Sequence, residues 1–75
     1  MQATPQEIEK NRELWADIYK FHRTYYHAED TRKFWDDVIH DAGVMCKRHE
    51  GDEFFANLIH LCVDDIEKRW KDSKQ

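Results

Sequence analysis

Turn-forming residues, cysteines and long apolar runs are all scarce in this chain of 75 residues. Two glycines and one proline are too few for the many tight turns of an all-β domain. No stretch approaches the roughly 18 apolar residues of a membrane-spanning helix. The first residues, from Met1 to Glu7, lack the basic start and apolar segment of a signal peptide. The sequence therefore predicts a small cytoplasmic protein without a membrane segment.

The apolar content suffices for one small core. Apolar residues make up 40% of the chain and aromatic residues 13%, which argues against wholesale disorder. The formal net charge is −4 with neutral histidines, so the chain has no basic excess of the kind that favours nucleic-acid binding. A domain this short buries only about 60% of its unfolded surface, and its core gives little net stability. We therefore expect a single domain over residues 1–75, for which self-association is one way to bury more apolar surface.

The apolar residues recur at helical spacing and predict an all-α, up-down-up three-helix bundle. The expected helices cover roughly 5–26, 30–49 and 52–71, followed by a frayed C-terminal tail over 72–75. Thr4, Pro5 and Glu7 form the pattern of a capping box with proline in the first helical position. Gly51 is expected at the left-handed position after the second helix, with Asp52 as the next N-cap.

The boundary between the first two predicted helices is the weakest, because residues 27–30 contain neither glycine nor proline. Either Asp30 or Thr31 could cap the second helix. The alternative is one continuous helix through His27, which would leave two helices in need of a partner chain.

The third predicted helix has an apolar arc of about 220°, wider than a helix in a three-helix monomer needs. The excess flank is our predicted contact with another chain, most simply in a homodimer. The alternative is that the tryptophan of this flank folds over the end of the bundle. The predicted interface residues are Ala56, Ile59, Val63, Ile66 and Trp70.

Several polar residues fall on predicted apolar faces. Asn11 and His22 lie near the centre of the first face and His49 near the centre of the second, so we expect hydrogen-bonded core or helix-end side chains. Asp65 and Arg69 are spaced to pair along the third helix. Gly43 either admits a close helix contact or costs about 1 kcal/mol relative to alanine.

No residue pattern predicts catalysis, a cofactor or a metal. In an antiparallel hairpin Cys46 and Cys62 would lie about 10 Å apart along the axis, too far for a disulfide, so both are expected to be small buried apolar residues. The pairs Asp36/His40 and His60/Asp64 have metal-ligand spacing but lie on polar faces. A metal-binding helical protein is therefore our third interpretation, and the chain has no phosphate loop or nucleophile motif.

Nucleic-acid binding is the second interpretation. The third helix begins with Asp52 and Glu53, which would repel phosphates, but its C-terminal end carries basic residues that could contact a backbone. These are Lys68, Arg69, Lys71 and Lys74.

Four segments carry a resemblance to a protein group: FWDDV at 34–38, CKRH at 46–49, DEFFA at 52–56 and DDIEKR at 64–69. Their pattern resembles small all-helical proteins of unknown function from Firmicutes, some of them encoded among prophage or mobile-element genes. The resemblance implies a bacterial or phage origin and assigns no functional residue. The wide apolar arc of the third helix and the lack of a catalytic motif favour a non-enzymatic protein that acts through protein–protein contacts.

Overall fold

Three α-helices form the part of the chain that the computed structural model describes, residues 2–74. They are α1 (Pro5–Thr24), α2 (Arg32–Arg48) and α3 (Glu53–Ser73), and no strand occurs within this range. The predicted all-α three-helix architecture is confirmed. The alternative of a continuous first helix is wrong, because residues 25–31 separate α1 from α2.

A side chain caps the N-terminus of each of the three helices. The Thr4 hydroxyl accepts a hydrogen bond from the Glu7 amide at 3.2 Å, and the Glu7 carboxylate accepts one from the Thr4 amide at 2.9 Å. This confirms the predicted capping box. Thr31 and Asp52 cap α2 and α3 through their side chains, which accept hydrogen bonds from backbone amides in the first turn of each helix. Each such cap stabilises a helix by about 1 kcal/mol.

The helix ends differ from the prediction by two residues in three places. The first helix ends at Thr24, the second begins at Arg32, and the third continues to Ser73. Asp72 and Ser73 of the predicted tail are thus part of α3, while Gln75 lies outside the described residues. The Ser73 hydroxyl donates to the Trp70 carbonyl at 2.7 Å, which helps to close the last turn.

The turn between α2 and α3 is a Schellman motif whose left-handed position holds Glu50. The Gly51 amide donates to the Cys46 carbonyl at 3.2 Å, and the Glu50 amide donates to the Lys47 carbonyl at 3.0 Å. Glu50 and Gly51 have φ angles of 56° and 72°. The prediction placed Gly51 at the first of these positions. It occupies the second, because α2 ends with His49 as its C-cap.

The two glycines should respond to alanine with opposite signs. Gly43 lies at an exposed position of α2, and no atom outside its own stretch of helix lies within 4 Å of an added Cβ, so the alternative of a close helix contact is wrong. Gly43→Ala should raise the free energy of unfolding by about 0.5–1 kcal/mol. Gly51→Ala should lower it, since alanine is strained at a φ of 72°. Urea unfolding of both variants checks this, and a destabilised Gly43→Ala protein would contradict it.

The core contains apolar side chains from all three helices and from the residue after α1. The deepest are Phe21, Val38, Phe55 and Ile66, each less than 2% exposed. The rest of the buried apolar core comprises Leu14, Tyr25, Phe34 and Ile59. These large side chains supply most of the apolar burial available to so small a domain.

Aromatic contacts connect the helices at one end of the core. Ring centroids lie 5.3 Å apart for Phe21 and Tyr25, and 5.5 Å apart for Tyr25 and Phe34. The Trp35 ring centroid lies 5.0 Å from that of Phe34 and 5.5 Å from that of Trp70, and both pairs meet edge to face. Such pairs add about 0.5–1.5 kcal/mol each beyond the area that they bury. The series joins α1, α2 and α3 at this end.

At the opposite end of the bundle, the N-terminal part of α1 extends along the bundle axis beyond the other two helices. Residues 2–13 are all exposed, and Leu14 is the first buried residue. Trp15 contacts Phe54 in the first turn of α3. Residues 5–13, here called the overhang, therefore extend about 13 Å past the α2–α3 turn. This is consistent with a longest dimension of 49 Å, against about 31 Å for α3 alone.

Asn11 lies in the overhang and is exposed, so its predicted placement on a buried face is wrong.

Within residues 2–74, no helix combines the length and apolar character needed to cross a bilayer.

Candidate interaction surface

Five large apolar side chains form an exposed line along α1 and α3, here called the apolar stripe. Each is between 47% and 65% exposed. Trp15 and Phe54 join the two helices, with ring centroids 5.9 Å apart and ring planes at 77°. The stripe comprises Ile8, Trp15, Tyr19, Phe54 and Leu61.

Helical spacing explains why these five residues share one side of the bundle. Ile8, Trp15 and Tyr19 follow each other at intervals of two turns and one turn on α1, and Phe54 and Leu61 are two turns apart on α3. In an up-down-up bundle α1 and α3 run in the same direction, so the two rows continue side by side from the Trp15–Phe54 contact. An apolar line of this length on a small domain is typical of a contact surface.

None of the predicted interface residues belongs to the apolar stripe. Ile59 and Ile66 are buried in the core, at 4% and 0% exposed. Ala56 and Val63 are half-buried, and Val63 packs against the core. The expected exposed flank is therefore not present in the single chain, because α3 turns that side of its apolar arc inward. The excess of apolar residues lies on the opposite edge, at Phe54 and Leu61.

Trp70, the last of the predicted interface residues, folds over the end of the bundle. Its ring lies 5.5 Å from that of Trp35, and the Lys74 ammonium is 4.0 Å from the Trp70 ring centroid. This agrees with the alternative that the sequence left open. The indole N–H is buried and has no acceptor, which is a cost of holding the ring inward.

An open groove of about 620 Å³ lies between the overhang and the α2–α3 turn. Leu14 and Phe54 supply its apolar part, and His49 forms part of its wall. The remaining lining is mostly charged: Glu7, Lys10, Glu13, Arg48, Glu50 and Asp52, with Asn11. No serine, threonine or cysteine lines this groove.

A buried polar pair holds α1 to the end of α2. His49 Nε2 and Asp17 Oδ2 are 2.7 Å apart, and both side chains are nearly buried, at 13% and 12% exposed. The His49 ring stacks on Phe55 with a centroid distance of 4.0 Å. Arg48 Nε is 3.7 Å from the same carboxylate oxygen. The expectation that His49 is hydrogen-bonded at a helix end is confirmed.

Sequence reasoning missed Asp17 as the partner of His49, although a signal was present. Asp17 follows Leu14 by three residues and precedes Phe21 by four, so it lies on the buried face of α1. A carboxylate in such a position needs a partner. The only buried polar residue among those described is Asp17.

A second, more exposed network joins α1 to α3. His22 Nε2 lies 2.7 Å from Asp65 Oδ2, and Arg69 Nε donates to the same oxygen at 2.8 Å. The Arg69 guanidinium lies 4.2 Å from the Tyr26 ring centroid. The predicted Asp65–Arg69 pair is confirmed, as is the expectation of a partner for His22. Hydrogen bonds from Arg69 and His22 lower the pKa of Asp65 below its ordinary value of 3.8.

Acid should weaken the contribution of Asp65 to stability. A carboxylate with a lowered folded pKa stabilises the fold above its unfolded pKa, and this contribution disappears as the pH falls through about 3.8 and below. Asp65→Asn should therefore be less stable than the wild type at pH 7, and this difference should shrink as the pH is lowered below 3.8. Urea midpoints at pH 7 and at several pH values below 3.8 test this. An unchanged difference would show that the carboxylate charge is not the cause.

Tyr25 adds a third polar link, between α1 and α2. Its hydroxyl donates to the Asp41 carboxylate. Burial and the hydrogen bond to Asp41 raise the pKa of Tyr25, so the phenol stays protonated and remains a donor. All three cross-helix polar contacts therefore hold α1 or its end against another part of the bundle.

The residues considered for metal binding or a disulfide are dispersed. Among residues 2–74, no group of three or more His, Cys, Asp or Glu side chains could hold a metal ion. Asp36, His40, His60 and Asp64 are all exposed. Cys46 and Cys62 are half-buried free thiols. Burial and the negative charge of Asp65 raise the pKa of Cys62, which makes its thiol a weaker nucleophile.

Comparison with known proteins gave no match to a protein-family model, to a curated protein or to a solved structure.

Proposed function

We propose that this protein is a non-enzymatic binding module that acts through protein–protein contacts and self-associates through the apolar stripe. The observation that supports this most directly is the alignment of five large side chains, each about half exposed, along two helices. Covering such a surface would add the apolar burial that a domain of this size lacks. The sequence resemblance further supports a role as an accessory protein of a prophage or mobile element in the bacterial cytoplasm.

The polar sites give less support to catalysis. In the groove, His49 is hydrogen-bonded to Asp17 and stacked on Phe55. The lining of the groove offers no hydroxyl or thiol nucleophile. His22 is engaged by Asp65, whose carboxylate also accepts from Arg69. These histidines therefore have partners that account for their positions without a reaction.

Nucleic-acid binding through the basic C-terminal end is the weaker alternative. Arg69 pairs with Asp65 at 2.8 Å and Lys71 with Glu67 at 3.2 Å. Lys74 lies 3.2 Å from the carboxylate of Asp30. Acidic neighbours thus compensate much of the positive charge that phosphates would need.

The oligomeric mass tests the proposal. Size-exclusion chromatography with light scattering over a concentration series at pH 7.5 should give a mass rising toward twice 9.2 kDa. Leu61→Lys should shift the monomer–dimer transition to a concentration about tenfold higher or more, because the dimer would bury a charge. Ile39→Lys is the matched control, since Ile39 is 68% exposed on α2, outside the stripe. A mass of 9.2 kDa at every concentration would contradict self-association.

A further inference from the structure

Two of the five histidines pair with a carboxylate across the bundle, and both pairs involve α1. His49 Nε2 lies 2.7 Å from Asp17 Oδ2, and His22 Nε2 lies 2.7 Å from Asp65 Oδ2. The first pair is nearly buried and the second is about one-third exposed. The two partly buried histidines therefore hold α1 against its neighbours. The other three histidines are all exposed: His27, His40 and His60.

Each of these pairs is stronger with a protonated ring than with a neutral one. A neutral imidazole gives the carboxylate one hydrogen bond, whereas an imidazolium adds the attraction of opposite charges. Histidine is the side chain whose ordinary titration falls between pH 5 and 8. The strength of both contacts therefore depends on pH in a range where most other side chains keep their charge.

We propose that the docking of α1 in the bundle is coupled to proton uptake by His49 and His22, so that α1 is held more firmly near pH 6 than near pH 8. The contribution of each pair is present below about pH 6.5, the ordinary histidine value, and is lost as the pH rises until the paired ring gives up its proton. The Asp65 carboxylate stays ionised throughout this range, because hydrogen bonds from Arg69 and His22 lower its pKa below 3.8. The coupling is a property of the single chain and does not depend on self-association.

The charges around His49 are mostly negative. Asp17 is its nearest charged neighbour, and Arg48 approaches the same carboxylate oxygen only to 3.7 Å, from an exposed position. The face of the ring stacks on Phe55, which carries no charge. A positive charge on His49 is therefore compensated from α1 and from the α2–α3 turn. Carboxylates outnumber cations among the charged residues that share the groove wall with it: Glu7, Glu13, Glu50 and Asp52 against Lys10 and Arg48.

The charges around His22 are balanced instead. Asp65 is shared between His22 and Arg69, whose Nε donates to the same oxygen at 2.8 Å. Tyr26 contacts the His22 ring edge to face, with 5.6 Å between the ring centroids. Because arginine stays charged throughout this pH range, it already compensates the carboxylate, and a proton on His22 adds less than one on His49. We therefore expect the larger share of the pH dependence from His49.

Glutamine variants test the coupling, since glutamine keeps an N–H donor but cannot carry the charge. From pH 8 to pH 6, the folding equilibrium constant of the wild type should rise by about fivefold or more, as measured by urea unfolding at low micromolar concentration. His49→Gln should remove most of that rise and His22→Gln a smaller part. His60→Gln, at an exposed position of α3, is the matched control and should keep the rise in full.

Asp17→Asn gives a second test of the same coupling, because it removes the charge that His49 pairs with and keeps the shape of the side chain. Its folding equilibrium constant should also vary less between pH 8 and pH 6 than that of the wild type. A wild type with equal stability at both pH values would overturn the proposal, as would a rise that persists in the double variant His22→Gln/His49→Gln. A rise that His60→Gln reduces as much as His49→Gln would also overturn it, since net charge alone would then be the cause.

Discussion

Phe55→Ala should lower the free energy of unfolding by about 3–5 kcal/mol, whereas the same change at the neighbouring Phe54 should cost less than about 1.5 kcal/mol. Phe55 is 1% exposed and Phe54 is 51% exposed. Removing the buried ring leaves a cavity and loses its stacking on His49. Removing the exposed ring loses mainly an edge contact with Trp15.

The size of the domain makes the first effect large in relative terms. A chain of this length is expected to have a total stability of about 4–11 kcal/mol. Phe55→Ala should therefore leave a protein near the limit of folding. Urea unfolding followed by circular dichroism measures both variants, at low micromolar concentration so that self-association contributes little. Equal losses for the two variants would show that the rings are not buried as described.

His49→Ala should be the more damaging of the two histidine substitutions, with a loss of about 2–4 kcal/mol. It leaves the buried Asp17 carboxylate without its nearest partner, and Arg48 at 3.7 Å compensates only in part. His22→Ala should cost much less, because the His22–Asp65 pair is more exposed and Asp65 keeps Arg69.

A double-mutant cycle identifies the cause of this loss. Asp17→Ala, His49→Ala and the double variant should show a coupling energy of about 1–3 kcal/mol. The double variant should lose less than the sum of the single variants, since it removes both members of the buried pair. Additive effects would mean that His49 stabilises the fold only through its stacking on Phe55.

The sequence by itself determined the three helices and their main local signals. Thr4 with Glu7 and Asp52 mark helix starts because their side chains satisfy backbone amides that no helical carbonyl can reach. The Asp65–Arg69 pair could be predicted for a similar reason, since residues four apart on a helix are neighbours in any fold. The resemblance to small Firmicutes proteins remains a prediction.

Only the tertiary structure decided which edge of the third apolar arc faces inward. The width of that arc was visible in the sequence, but the rotation of α3 against its neighbours depends on packing that helical periodicity does not specify. This rotation buries Ile59 and Ile66 and exposes Phe54 and Leu61.

Only the tertiary structure decided how the helices are staggered along the bundle axis. It leaves residues 5–13 as the overhang, because axial stagger depends on which side chains meet across the helices. The pairing of Asp17 with His49 follows from the same cause. Periodicity places a residue on a face of its own helix, whereas its partner on another helix depends on how the helices are rotated and staggered.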